Sequence, residues 1–285
     1  MNQNHFQLHP ILINLLDALL FSSVFIAVCA VLMSYQTFII FTNQINIYYL
    51  AFVFFATLCS YNFHWYLTPA SVQQSPRSVW SLQHKQMLII LTVLGLAGLF
   101  YFFLYLRQYW IWLSISAFVT FLYTAPKISF FNQLQKIAVG KTIFLSLVWT
   151  HVTCILPLVI SGVEWHRQQY FFIINRFFFI YAICILFDFR DRQEDKVAGI
   201  KSMITQLNEG SINKLFWGSA LIAAASLLFM LNYFMVKVVL AFALPLVVLI
   251  IVFSPAKRNF SDYLFYFVLD GLMMLSALLL LIFQF

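Results

Sequence analysis

The chain has 285 residues, of which 63% are hydrophobic and only 9% charged, with a mean hydropathy of +0.91. A soluble domain carries about 25% charged residues to face water, so this composition excludes an ordinary soluble fold and requires lipid as solvent. The net charge of +7 does not indicate nucleic acid, because the basic residues are scattered over short connections and form no basic arm or aromatic-basic patch.

Residues 1–10 contain no Lys or Arg, unlike the charged start of a secretory signal, and the apolar run behind them is long enough to span. A retained first span is therefore expected at 11–33. A transmembrane helix needs about 20 predominantly apolar residues, and in chain order further spans are predicted at 46–66, 87–106, 109–126, 137–160, 169–188, 214–232, 236–253 and 262–284. The connections at 107–108 and 233–235 are short enough to demand antiparallel helical hairpins. No repeat or low-complexity tract interrupts the pattern, so residues 1–285 are expected to form one polytopic domain, an all-α integral membrane bundle of nine transmembrane helices. Cys29, Cys59, Cys154 and Cys184 all fall within apolar runs without a C-x-x-C pair and read as small buried hydrophobes.

Cytoplasmic loops carry the excess of Lys and Arg. With the N-terminus cytoplasmic, Arg77, Lys85, Lys127, Lys136, Lys141, Arg190, Arg192, Lys196, Lys201, Lys214, Lys257 and Arg258 fall on the inner side, and only Arg107, Arg167 and Lys237 on the outer. That 12-to-three division supports both the span count and an N-inside, multi-pass protein of the cell's inner (cytoplasmic) membrane. The two longest connections, 67–86 and 189–213, then face the cytoplasm.

Of nine acidic residues, Asp188, Asp191, Glu194 and Asp195 cluster at the end of the sixth span. On a continuous helix Asp191 lies about 60° and Asp195 about 20° from Asp188, so the three Asp side chains share one face and Glu194 points elsewhere. A solvated helix end is the plain alternative. Carboxylates at a helix C-terminus oppose the macrodipole at about 0.3–1 kcal/mol and repel one another, which a divalent cation would relieve. Oxygen ligands of this kind suit Mg²⁺, which takes one or two carboxylates together with water and substrate phosphates.

The segment DFRDRQEDKVAGIKSM, residues 188–203, resembles the second Asp-rich motif of the UbiA-type intramembrane prenyltransferases, D-x-x-D-x-x-x-D followed by a basic residue and G-I-K-[ST]. Asp188, Asp191, Asp195, Lys196, Gly199, Ile200, Lys201 and Ser202 match it position by position, and Tyr123 to Lys127 is similar to the family's Y-x-x-x-K. The first Asp-rich motif departs. Where the family has N-D-x-x-D-x-x-x-D, only Asn62 matches, Phe63, His64, Trp65 and Tyr66 follow, and no acid occurs between Asp17 and Glu164.

The resemblance implies a nine-helix enzyme that moves a polyprenyl group from its diphosphate to an aromatic or other lipophilic acceptor. It implies Mg²⁺ on Asp188, Asp191 and Asp195, and diphosphate contacts from Asn62, Arg77, Lys127, Lys196 and Lys201, with Lys85 another basic candidate. Tyr123 and His64 would line the cavity, His64 as a hydrogen-bond donor or ligand. A non-catalytic prenyl-diphosphate-binding relative is the alternative; a secondary transporter fits less well, because eight Gly and seven Pro offer little of the broken-helix signature.

Ionisable groups inside lipid are costly and mark function or pairing. Asp17, Lys141 and Asp270 are each expected about 6–12 Å past the inner start of their helices, lining the cavity with Lys141 paired to Asp17 or Asp270, or else joining helices as a buried ion pair. Arg176 lies about 18 Å deeper than Asp188, facing a second polar pocket or snorkelling outward. His151, Trp149 and Tyr181 shape an acceptor pocket or simply pack.

Overall fold

The computed structural model describes residues 10–42, 44–68, 75–124, 140–197 and 199–283, all helical or connecting, with no strand among them. That outcome follows from the apolar runs, since backbone groups in hydrocarbon have no water to bond and a helix satisfies them within one segment.

The expected 11–33 span is broken in two. Helix α1 covers Pro10–Phe21 and α2 Val24–Phe41, and between them Ser23 takes a left-handed conformation with φ 64°. Two long-range contacts hold the break: Asn62 Nδ2 donates to the Ser22 carbonyl at 3.0 Å, and Arg77 Nη2 donates to Ser23 Oγ at 3.3 Å. The first long helix therefore runs to Phe41 rather than to residue 33, and Asp17 lies on α1, before the break.

Helix α3 (Ile47–Tyr66) pairs antiparallel with α5 (Lys85–Leu106). Tyr48 stacks on Tyr105 with ring centroids 4.4 Å apart, and Gly95 lies directly against the Cys59 backbone. The connection between them contains α4 (Pro76–Gln83), which starts with Pro76 in its first turn and with the Ser75 side chain accepting from the Ser78 N–H. This is favourable N-terminal chemistry for a short helix.

A 3₁₀ turn at Arg107–Tyr109 leads into α6 (Trp110–Thr124). It packs antiparallel to α7 (Lys141–Thr150) and α8 (Leu156–Ile160): Tyr109 Oη donates to the Ile160 carbonyl at 3.1 Å, and Ser116 Oγ meets His151 Nδ1 at 2.7 Å. Between α7 and α8 lies a π-helical turn, His151–Ile155. Two carbonyls in this turn, Val152 and Thr153, are satisfied from outside by Tyr49 Oη at 2.5 Å and Thr37 Oγ1 at 2.6 Å, which is how a widened turn persists in an apolar bundle.

Helix α9 spans Arg167–Arg190, one half-turn past the expected end, and is followed by the short α10 (Arg192–Val197) and α11 (Met203–Gln206). Helix α12 starts at Glu209, ahead of the expected residue 214, because Asn208 caps it by accepting from the Ser211 N–H. Helix α13 (Val236–Arg258) continues past residue 253 through Pro255, and a second π-helical turn, Leu264–Leu269, opens into α14 (Asp270–Ile282). Lys257 pairs with Glu209, joining the end of α13 to the start of α12.

Among the described residues, seven stretches are long and apolar enough to cross a membrane: Val24–Phe41, Lys85–Leu122, Lys141–Ile160, Arg167–Arg190, Glu209–Met230, Val236–Arg258 and Leu264–Ile282. The second contains both α5 and α6. Large apolar side chains such as Leu94, Phe100, Phe118, Leu221, Leu228 and Ile251 point outward and are half or more exposed. An apolar outer surface this extensive has no place in water. The chain is a multi-pass helical membrane protein.

Candidate functional site

A cavity of about 820 Å³ lies within the bundle, walled by α3, α5, α6, α7 and α9 and closed at one end by residues of α4 and α14. Along α7, the π-helical turn and the start of α8 its lining runs from Lys141 to Leu156, roughly 22 Å at the helical rise. Most of the wall is apolar, including Val53, Leu96, Leu99, Leu113, Leu145 and Val152. Its charged side chains gather at the end where Lys141 opens α7 and α9 terminates: Arg77, Lys141, Asp188, Arg190, Asp191, Glu194, Asp195 and Asp270.

Lys141 organises one half of this end. Its Nζ lies 2.9 Å from Asp195 Oδ2 and 3.3 Å from Asp188 Oδ1, and Thr142 Oγ1 donates to Asp188 Oδ2 at 2.5 Å. Asp188 and Asp195 are both buried. The expected pairing of Lys141 with Asp17 or Asp270 is thus corrected. Helix α7 packs along α9, so a side chain on the first turn of α7 meets the last turns of α9. The three Asp residues expected on one face all line this cavity, though not from one continuous helix. Helix α9 stops at Arg190, Asp191 sits in the bend with φ −80° and ψ −2°, and α10 restarts beyond it. Asp195 and Asp188 share Lys141, while Asp191 Oδ1 accepts from Arg190 Nε at 2.7 Å. Glu194, expected to point elsewhere, is in the cavity wall.

Arg77 and Arg190 organise the other half. The Arg77 guanidinium is 2% exposed and lies between the rings of Trp65 and Tyr266, 4.3 and 4.1 Å from their centroids. Its backbone N–H donates to Asp262 Oδ2 at 2.7 Å. Burial pushes its pKa below the ordinary guanidinium value, but an arginine keeps its charge in a protein. Arg190 donates from Nη2 to Tyr266 Oη at 2.8 Å. Arg77 Nε and Arg190 Nη1 are buried and make no hydrogen bond. Arg190 Nη1 has Asp262 Oδ1 3.8 Å away, whereas a buried donor such as Arg77 Nε is costly without a partner; both side chains line the cavity.

The remaining predicted residues divide. His64 lines the cavity; Asn62 does not, being fully buried beneath the Ser22–Ser23 break, with Nδ2 also donating to the Leu58 carbonyl at 2.8 Å. Asp17 is outside the cavity wall and accepts from Tyr263 Oη at 2.5 Å, so it does not line the cavity with Lys141 and Asp270. Asp270 lines the cavity. Lys85, Lys196 and Lys201 are exposed and outside the lining. Lys127 falls outside the described residues, as does the side chain of Tyr123 on α6. Arg176 is buried in the bundle rather than snorkelling, donating to Ser276 Oγ at 3.1 Å and to the Met273 carbonyl at 2.8 Å. Trp149 lines the cavity and donates to Tyr61 Oη at 3.1 Å, while Tyr181 packs against Phe177.

Arg190, Tyr266 and Trp65 were not singled out in the sequence. Arg190 stands between Asp188 and Asp191, a local signal that was available. Tyr266 and Trp65 come from other helices and carry none.

Five carboxylates and three Lys or Arg side chains line the charged end, an excess of negative charge that suits a cation arriving with an anionic group. Among the described residues no group of three His, Cys, Asp or Glu side chains is placed to hold a metal ion. Two do converge, Asp188 and Asp195, on the point now held by the Lys141 ammonium. A carboxylate pair completed by water and phosphate oxygens is the usual set for Mg²⁺, so this donor set fits that ion. The whole arrangement can seat an amphiphile, its anionic head against the guanidinium groups and its hydrocarbon along the apolar wall. The chain matches no family model, no curated protein and no solved structure.

Proposed function

We propose that the protein handles a polyprenyl diphosphate inside the membrane and transfers its prenyl group to a lipophilic acceptor, aromatic or otherwise. The observation that carries the proposal is a cavity with an apolar body and a charged end, where Arg77 Nε is buried without a hydrogen-bond partner and Arg190 Nη1 has only Asp262 Oδ1, 3.8 Å away, to neutralise it. The resemblance of residues 188–203 to the Asp-rich motif of UbiA-type prenyltransferases supports it from the sequence side.

In this reading Arg77 and Arg190 donate to phosphate oxygens, and the apolar wall around Leu96, Leu99 and Val152 excludes water from the chain. Asp188 and Asp195 are the residues that would hold Mg²⁺. When bound, Mg²⁺ offsets the negative charge that builds on the departing diphosphate. The acceptor attacks the allylic carbon, the carbon–oxygen bond to diphosphate breaks, and the acceptor's proton leaves for a basic oxygen nearby. The bundle is proposed to cross the membrane nine times, through α2, α3, α5, α6, α7 with α8, α9, α12, α13 and α14. The N-terminus and the charged end would face the cytoplasm, as the Lys and Arg distribution supports.

A specific observation favours the second reading, a prenyl-diphosphate binder without turnover: α3 contributes no carboxylate to the cavity, and an ammonium fills the carboxylate pair. One experiment separates the two. Purified protein with Mg²⁺ and labelled farnesyl diphosphate is incubated with aromatic acceptors beside Asp188→Asn. Diphosphate release that the variant loses supports transfer. Tight binding without release under every acceptor supports the binder, and no binding at all refutes both.

A further inference from the structure

We propose that Lys141 is a built-in competitor for the cation point between Asp188 and Asp195, so that a divalent cation and an anionic head group load the cavity together. The coupling to the head group rests on the diphosphate reading above; the competition itself does not.

The geometry places one ammonium within 3.3 Å of both carboxylates. Without it, two buried carboxylates would face each other unneutralised, which neither tolerates. Lysine suits this role: its ammonium is a compact point charge on a flexible stem, able to leave without disturbing the helix, whereas a planar guanidinium would hold a fixed fork. Lys141 sits in the first turn of α7, next to Gly140, so only its side chain needs to move.

Independent observations indicate an anion beside this pair. Arg77, 2% exposed in the same cavity end, has no hydrogen-bond partner for Nε, and Arg190 Nη1 makes no hydrogen bond and reaches Asp262 Oδ1 only at 3.8 Å. A divalent cation entering alone must displace Lys141 from both carboxylates. An anion entering alone adds charge to an end already rich in carboxylates. Entering together, the cation takes Asp188 and Asp195 while Lys141 turns to the anion. Each ligand therefore tightens the other, and by linkage the two effects are equal.

The test is a titration of the purified full chain in detergent with Mn²⁺, followed by its electron paramagnetic resonance signal, with and without farnesyl diphosphate or inorganic diphosphate. Lys141→Gln should bind Mn²⁺ at least tenfold more tightly than the natural chain in the absence of diphosphate. Adding Asp195→Asn to that variant should abolish the gain, and Lys141→Arg should retain the weak binding, with size-exclusion profiles unchanged throughout. Farnesyl diphosphate should tighten Mn²⁺ in the natural chain and do so less in Lys141→Gln. Equal Mn²⁺ affinity in the natural chain and Lys141→Gln overturns the competition, as does a gain that survives Asp195→Asn. Competition present but unmoved by farnesyl diphosphate, with inorganic diphosphate effective, overturns the prenyl-diphosphate reading and leaves Lys141 in its role. If neither diphosphate has an effect, the coupling falls.

Discussion

The contact between α3 and α5 tests the cavity wall most directly. A Cβ on Gly95 would lie 2.8 Å from the Cys59 nitrogen and 2.9 Å from its Cα, where carbon atoms pack best at about 3.5–4.0 Å. The obstacle is backbone, so no rotamer change relieves it and the helices must part by somewhat under 1 Å. Overpacking of this kind costs about 1–3 kcal/mol, against about 0.8–1.0 kcal/mol gained when Ala replaces Gly in a helix. Gly218 on α12 provides the control, because an added Cβ there meets nothing within 4 Å. Gly218→Ala therefore takes the helix gain alone, and its difference from Gly95→Ala isolates the overpacking. At about 2–4 °C per kcal/mol for chains somewhat shorter than this one, Gly95→Ala should melt about 2–12 °C below Gly218→Ala. Tryptophan fluorescence on heating in detergent measures both. Equal melting temperatures would mean that α3 and α5 do not meet at Gly95 and that the wall is drawn wrongly.

Arg77→Lys should weaken farnesyl diphosphate binding about tenfold or more while leaving the fold intact, since an ammonium cannot reproduce a planar cation between the Trp65 and Tyr266 rings; unchanged equilibrium binding would remove Arg77 from the head-group site. Asn62→Leu removes both bonds that Nδ2 makes, to the Ser22 and Leu58 carbonyls, and should cost about 1–3 kcal/mol because buried carbonyls lose their donor. A thermal melt like that of the natural chain would show that Asn62 does not hold the break. For sidedness, Lys201→Cys and Glu164→Cys carry exposed thiols that an impermeant maleimide should reach from opposite faces of the membrane, with Lys201→Cys labelled from the cytoplasm. Labelling of both from one face contradicts the alternation.

The solvent, the helical class and the approximate long segments were legible in the residues themselves, because twenty apolar residues in a row leave the backbone no alternative to helix in lipid. The charged cluster at 188–195 was legible for the same local reason, as was the absence of acids along α3. What the sequence could not supply was which side chains meet. Lys141 is 54 residues from Asp195, and nothing in either segment says that the first turn of α7 lies beside the end of α9. The break at Ser22–Ser23 depends on Asn62 and Arg77, from two other elements, so a run that reads as one span becomes α1 and α2 and moves Asp17 out of the cavity wall. Periodicity assumed an unbroken helix through Asp195, whereas the helix stops at Arg190 and Asp191 pairs with that neighbour while still lining the cavity. Local composition determined where helices form. Tertiary packing decided which charges neutralise one another, because a buried ion pair is chosen by the few ångströms between facing helices and not by spacing along the chain.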